Sequence, residues 1–147
     1  MDPSNLVAEA SVTIHAPASA VWRALTTPSL IKRYLFGTDT TCDWKEGSPI
    51  TYEGEYQGQR YRDKGVIKKI RPNEVLQSTY WSSMSGKEDR PENYNTVTYS
   101  LTEEGDNTIL TIEQDNIDSE ASLKHSEENW NMVLSKLKEV VESENRT

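Results

Sequence analysis

The sequence predicts an α+β domain in which a seven-stranded antiparallel sheet wraps around one long C-terminal helix, with two short helices after the first strand. Three observations predict it. From residue 41 to about 116 the chain reads as β throughout, in segments that alternate apolar and polar residues between short turns. One long stretch with helical spacing, residues 119 to 144, repeats Leu123, Trp130, Val133, Leu134, Leu137, Val140 and Val141 on one face. A sheet and a helix that are each apolar on one side bury those sides against each other. A chain of 147 residues has room for one core, so residues 1 to 147 read as a single domain.

The elements follow in order. Residues 11 to 14 alternate with period two, placing Val12 and Ile14 on the buried side of a short strand. Pro17 then opens a short helix with the stripe Val21, Trp22 and Leu25, since a missing N–H costs nothing in a first helical turn. Thr27 and Pro28 repeat that signal for a second short helix carrying Leu30, Ile31, Tyr34 and Leu35, ended by Gly37. Strands are predicted at 41 to 44, 49 to 57, 60 to 70, 75 to 82, 94 to 103 and 107 to 115, and their short turns make successive strands antiparallel. Val97, Tyr99 and Leu101 share one parity, as do Leu110, Ile112 and Gln114, so one face is apolar and a polar amide joins it. In the strand 60 to 70, Arg60, Arg62, Lys64 and Lys68 form a solvated outer stripe opposite Tyr61, Gly65 and Ile67. The loop 83 to 93 is too polar for the core and reads as a hairpin tip or a gate. Asp118 or Ser119 caps the long helix, and Glu120 suits the positive end of its dipole.

Composition narrows the function. Sixteen basic against 24 acidic side chains leave a net charge of −8, which opposes nucleic acid and anionic membranes alike. No apolar run approaches a membrane span and the first residues lack a signal peptide's basic start, so a cytoplasmic protein is expected. With Cys42 as the single cysteine and no paired histidines at ligand spacing, no metal is expected, and no phosphate loop or dinucleotide fingerprint calls for a cofactor. His15 falls at a strand end facing outward, and His125 on an early turn of the long helix, at the surface or the rim. Glu53, Glu55 and Glu113 sit on the wet parity, and the carboxylate of Asp43 disfavours a Cys42 thiolate. No catalytic residue is therefore assigned.

Several stretches carry a family resemblance: Ala10-Ser-Val-Thr-Ile-His-Ala-Pro-Ala-Ser-Ala-Val-Trp-Arg-Ala-Leu25, Thr27-Pro-Ser-Leu-Ile-Lys-Arg-Tyr-Leu-Phe-Gly37, Asp43-Trp-Lys-Glu-Gly47, Lys64-Gly-Val-Ile-Lys-Lys-Ile-Arg-Pro72, Asn95-Thr-Val-Thr-Tyr-Ser-Leu-Thr102 and Trp130-Asn-Met-Val-Leu-Ser-Lys-Leu-Lys138. Over residues 8 to 142 the chain resembles the START, polyketide-cyclase and Bet-v-type helix-grip superfamily, and within it the branch like the activator of heat shock protein 90 ATPase homologue. The resemblance implies a cavity between the sheet and the C-terminal helix that binds a small, largely apolar or aromatic molecule. It leaves open a protein-interaction, chaperone-associated role, and thirdly a cyclase- or hydrolase-type enzyme. The residues offer aromatic rings with polar tips to line such a space, Tyr52, Tyr56, Trp81, Tyr99 and Trp130, with Leu134 following Trp130 on the helix. Gln114 points inward and needs a partner, which Asn129, water or a ligand can supply. Trp130 and Tyr99 are expected to face each other and to line the pocket.

Overall fold

The computed structural model describes residues 6–83 and 86–145, with the side chains of Tyr56 and Asn145 outside the described residues. The chain runs β1 (Leu6–Ile14), α1 (Ala18–Thr26), α2 (Pro28–Tyr34), β2 (Asp39–Cys42), β3 (Pro49–Tyr56), β4 (Gln59–Arg71), β5 (Val75–Ser82), a 3₁₀ turn (Pro91–Asn93), β6 (Asn95–Glu104), β7 (Asn107–Ile117) and α3 (Glu120–Asn145). The strands form one sheet in the order β1-β7-β6-β5-β4-β3-β2, and every neighbouring pair is antiparallel. This is the helix-grip architecture.

β1 starts five residues earlier than the alternation of Val12 and Ile14 implies. Its first half turns Ala8 and Ala10 inward, both buried, and leaves Val7 exposed. α3 packs along this strand, and alanines keep the two backbones close. Side chains of α3 also serve the outer edge of β1. Glu127 Oε2 accepts from the Glu9 N–H at 3.0 Å. Lys138 Nζ donates to the Thr13 carbonyl at 2.8 Å. Glu142 Oε2 accepts from the His15 N–H at 2.9 Å. An edge strand otherwise offers these groups to another chain.

The short helices take their ends from elsewhere. Neither Pro17 nor Thr27 makes a side-chain cap, contrary to the role expected of Thr27. Glu103 of β6 instead places Oε1 at 2.7 Å from the Ala18 N–H, setting a carboxylate on the positive end of α1. Beyond the end of α2 the chain turns through Phe36 and Gly37, both with positive φ. The long helix begins with Ser119, whose Oγ accepts from the Ser122 N–H at 3.1 Å. Its C-terminal half carries Val133, Leu134, Leu137, Val140 and Val141 into the core, while in its first half Leu123, Ser126 and Glu127 are only half-buried.

On β4 the basic stripe faces outward as expected, and Tyr61, Asp63, Gly65 and Ile67 face inward. Gly65 is required: a Cβ there would stand 1.7 Å from the Thr79 carbonyl oxygen, so β5 approaches closer than any side chain allows.

Candidate binding cavity and the polar row beside it

One cavity lies under the short helices, and a second, of about 70 Å³, lies between α1, α2 and the C-terminal part of α3, lined by Ala20, Arg23, Leu30, Val140, Val141 and Glu144; the first is the one with aromatic walls. Leu25, Ile31, Tyr34 and Leu35 roof it, Trp44 closes one side, and Ile50, Tyr52, Leu76, Ser78 and Tyr99 form its floor. Its volume of about 20 Å³ is enough for one water and no more. Trp44 adopts φ +56° and is held by its own N–H donating to Cys42 Sγ at 3.2 Å. This turns the end of the predicted strand 41 to 44 into the loop that carries the indole. Tyr34 donates its hydroxyl to the Ala24 carbonyl at 3.0 Å, tying α2 to α1.

Burial pushes the phenols of Tyr34 and Tyr52 well above their ordinary range, and burial likewise raises Tyr99. All three are neutral donors at any physiological pH. The hydroxyls of Tyr52 and Tyr99 have no hydrogen-bond partner among the described residues.

Next to the cavity a polar row crosses the inner face. Thr40 of β2, Tyr52 of β3 and Asp63 of β4 are register partners, with Thr40 6% and Asp63 8% exposed. Tyr80 donates its hydroxyl to Asp63 Oδ2 at 2.5 Å. Its ring meets that of Tyr52 edge-on, at 5.9 Å and 61°. Burial first, and then the Asp63 carboxylate, push the Tyr80 phenol up. Thr38 Oγ1 and the Tyr61 hydroxyl share a 2.6 Å hydrogen bond close by in the same layer. The second Asp63 oxygen, Oδ1, and Thr40 Oγ1 are buried without a partner.

The residues proposed from the sequence divide. Tyr52 and Tyr99 line the cavity. Trp130 meets Tyr99 edge-on at 6.2 Å and 87°, so the two rings do face each other, but Trp130 is not part of the lining. Gln114 does point inward, and its Oε1 accepts from Trp130 Nε1 at 2.7 Å. Asn129, considered as that partner, lies on the exposed face of α3. Leu134 is core, 1% exposed. Trp81 is on the other face of the sheet: it stacks on Tyr94 at 6.4 Å, lies under Lys64 Nζ and donates Nε1 to the Lys87 carbonyl. Its parity opposes that of Leu76 and Ser78, which places it outside with Gln77 and Thr79. The side chain of Tyr56 lies outside the described residues.

The sequence reading missed Tyr34, Trp44, Ser78, Tyr80 and Asp63. Parity alone singles out the last three, because Ser78 and Tyr80 follow Leu76, and Asp63 lies between Tyr61 and Gly65. No described residue of the loop 83 to 93 belongs to the lining. Asp89 in it pairs with Lys64 and accepts from Tyr94, and Lys87 pairs with Asp118, so its described part is fastened to the outer side. Among the described residues no three of His, Cys, Asp and Glu cluster as a metal site would, and no helix is long and apolar enough to cross a membrane.

Fold and site thus define a helix-grip domain with a small tyrosine-lined pocket under its short helices. The family model described as activator of Hsp90 ATPase homolog 1-like protein matches residues 15–142, and the chain belongs to that family. Among solved structures it is similar to ChR145 from Cytophaga hutchinsonii, with 42% identity, a TM-score of 0.83 and 97% of each chain covered. The Aha1 dimer from Colwellia psychrerythraea shares the fold at 18% identity and TM-score 0.73, covering 92% of this chain and 96% of that one. CalU16 from Micromonospora echinospora does so at 24% identity and TM-score 0.69, covering 91% and 80%. A search of curated proteins finds no match.

Proposed function

We propose that this chain binds a small, largely apolar or aromatic molecule in the cavity between α1, α2 and the sheet. The observation that carries the proposal is the lining itself: the half-buried phenols of Tyr52 and Tyr99 border a void, and neither hydroxyl has a hydrogen bond among the described residues. A core built only for stability pairs such groups or replaces them with phenylalanine. The cavity of about 20 Å³ compares with about 150 Å³ for a cavity that holds benzene, so binding requires the roof to lift. α2 is suited to that, being seven residues long, without a side-chain cap, and flanked by Pro28 and Gly37.

The test is a titration of ¹⁵N-labelled protein with toluene, followed by amide shifts and tryptophan emission. Shifts should centre on Leu35, Trp44, Tyr52 and Tyr99. The emission change should persist in Trp130→Phe and vanish in Trp44→Phe. No saturable shift, or shifts confined to α3 and β1, would overturn the proposal.

A second reading draws on the same small volume: a filled core leaves the outer surface to act, as a protein-interaction domain. The family's description and the Colwellia Aha1 dimer suggest a chaperone-associated role, and a surface of net charge −8 suits a basic partner face. Under this reading toluene leaves the spectrum unchanged.

A further inference from the structure

The buried side-chain atoms left without a partner are not scattered. Among the described residues they are Thr40 Oγ1 and Asp63 Oδ1, and both residues pair across the sheet with Tyr52, one on each side. Asp63 is the more telling. Its carboxylate is 8% exposed and receives one phenol on one oxygen, whereas a desolvated carboxylate ordinarily has an opposite charge or several donors. The cations of its own strand do not supply that charge. Arg62 and Lys64 flank Asp63 on the outer parity, where they meet Glu53 and Asp89. Around the cavity side of Asp63 stand rings rather than charges. Tyr80 is bonded to it, Tyr52 is edge-on to Tyr80, and Tyr52 shares the cavity lining with Tyr99 and Trp44. An unpartnered carboxylate oxygen among tyrosines is an environment that favours an organic cation: the oxygen takes the N–H, and the neighbouring rings add attraction for the charge.

We propose that the ligand of this cavity carries a protonated amine, with its apolar body under α2 and its ammonium group on Asp63 Oδ1, and with Tyr52, the register partner of Asp63 in the cavity lining, as the side chain that moves to open the way to it. This rests on the cavity reading above and adds the charge and the contact atom. The net charge of −8 attracts any cation to the surface; Asp63 gives one particular place inside.

Three probes of one carbon skeleton test it: 2-phenylethylamine, 2-phenylethanol and phenylacetate, each titrated into the full chain at 0.15 M salt by NMR and calorimetry. The amine should bind at least tenfold more tightly than the alcohol, with the carboxylate weakest. In Asp63→Asn the amine's preference should disappear, with the alcohol's affinity unchanged within about twofold. In Tyr80→Phe, which keeps the carboxylate and the ring, the preference should remain; this variant carries the test if Asp63→Asn fails to fold, because loss of the preference there refutes the contact. Equal or tighter binding of the alcohol, or an amine preference that survives Asp63→Asn, overturns the proposal. If toluene and the alcohol bind in the cavity but the amine gains nothing, this inference falls and the cavity reading stands. If no probe binds, both fall.

Discussion

Replacing Gly65 with alanine tests how the inner face is built. The alanine Cβ would sit 1.7 Å from the Thr79 carbonyl oxygen, where real Cβ atoms essentially never come within 3.0 Å. The strands have to part by about 1.3 Å, the difference between 3.0 and 1.7 Å, and the nearest neighbour is backbone, which cannot rotate away. The hydrogen bonds at risk are the 2.9 Å contact from the Val66 N–H to Thr79 Oγ1 and the ladder bonds on either side. At about 1 kcal/mol for each of two or three bonds, with some loosening around buried Ile67, the cost comes to about 3–4 kcal/mol. With a urea m-value of about 2 kcal/mol/M the unfolding midpoint should drop by about 1.5–2 M. Gly37→Ala is the control. It has φ +83° and nothing within 4 Å, so it carries only left-handed strain, about 1 kcal/mol. If Gly65→Ala costs no more than Gly37→Ala, the close approach of β4 and β5 is not what shapes this face.

Other consequences are checked more simply. Glu103→Ala should cost about 1 kcal/mol in urea unfolding, because the Ala18 N–H and the end of α1 lose their carboxylate. Burial alone would raise Glu142, but Lys138 and the His15 N–H outweigh it and hold the carboxyl below its ordinary 4.5. A depressed folded value means stability present above about pH 4.5 and lost as pH falls through the folded value, so Glu142→Gln should flatten the acid limb of the stability curve. Trp81→Ala removes a ring from the outer face, so it should leave any toluene-induced shifts at Tyr52 and Tyr99 in place.

How far the fold shows in the sequence depends on how each element declares itself. β6 and β7 declare themselves through large alternating residues, and α3 through a heptad-like stripe, and all three lie within two residues of where the pattern puts them. The first half of β1 hides because its inward residues are alanines, small for the sake of α3 and too weakly apolar to mark a period. Part of the candidate lining shows in the sequence. Tyr52 and Tyr99 follow from parity, and so does the inward Gln114. Trp81 has the size of a lining residue, but the parity of Leu76 and Ser78 places it outside. Trp44 could not be found by strand pattern, because it leaves the strand with a positive φ. That the aromatic-walled cavity sits under α1 and α2 is a matter of tertiary packing, and no local signal encodes it.

The bonds between α3 and the margin of β1 also bear on how the protein is made. The residues that receive the Glu9 and His15 amides come 118 and 127 positions later in the chain, and β7, the sheet partner of β1, is nearly as distant. A chain emerging from the ribosome therefore presents its first strand long before anything exists to cover it. Hairpins β3 to β5 can close as they appear, but β1 waits for the last strand and the final helix. Until then it is an open template for strand addition by another nascent chain. Expression as a fusion cut within α3 should yield aggregates, and the time in which a holding chaperone is useful ends when Glu142 emerges.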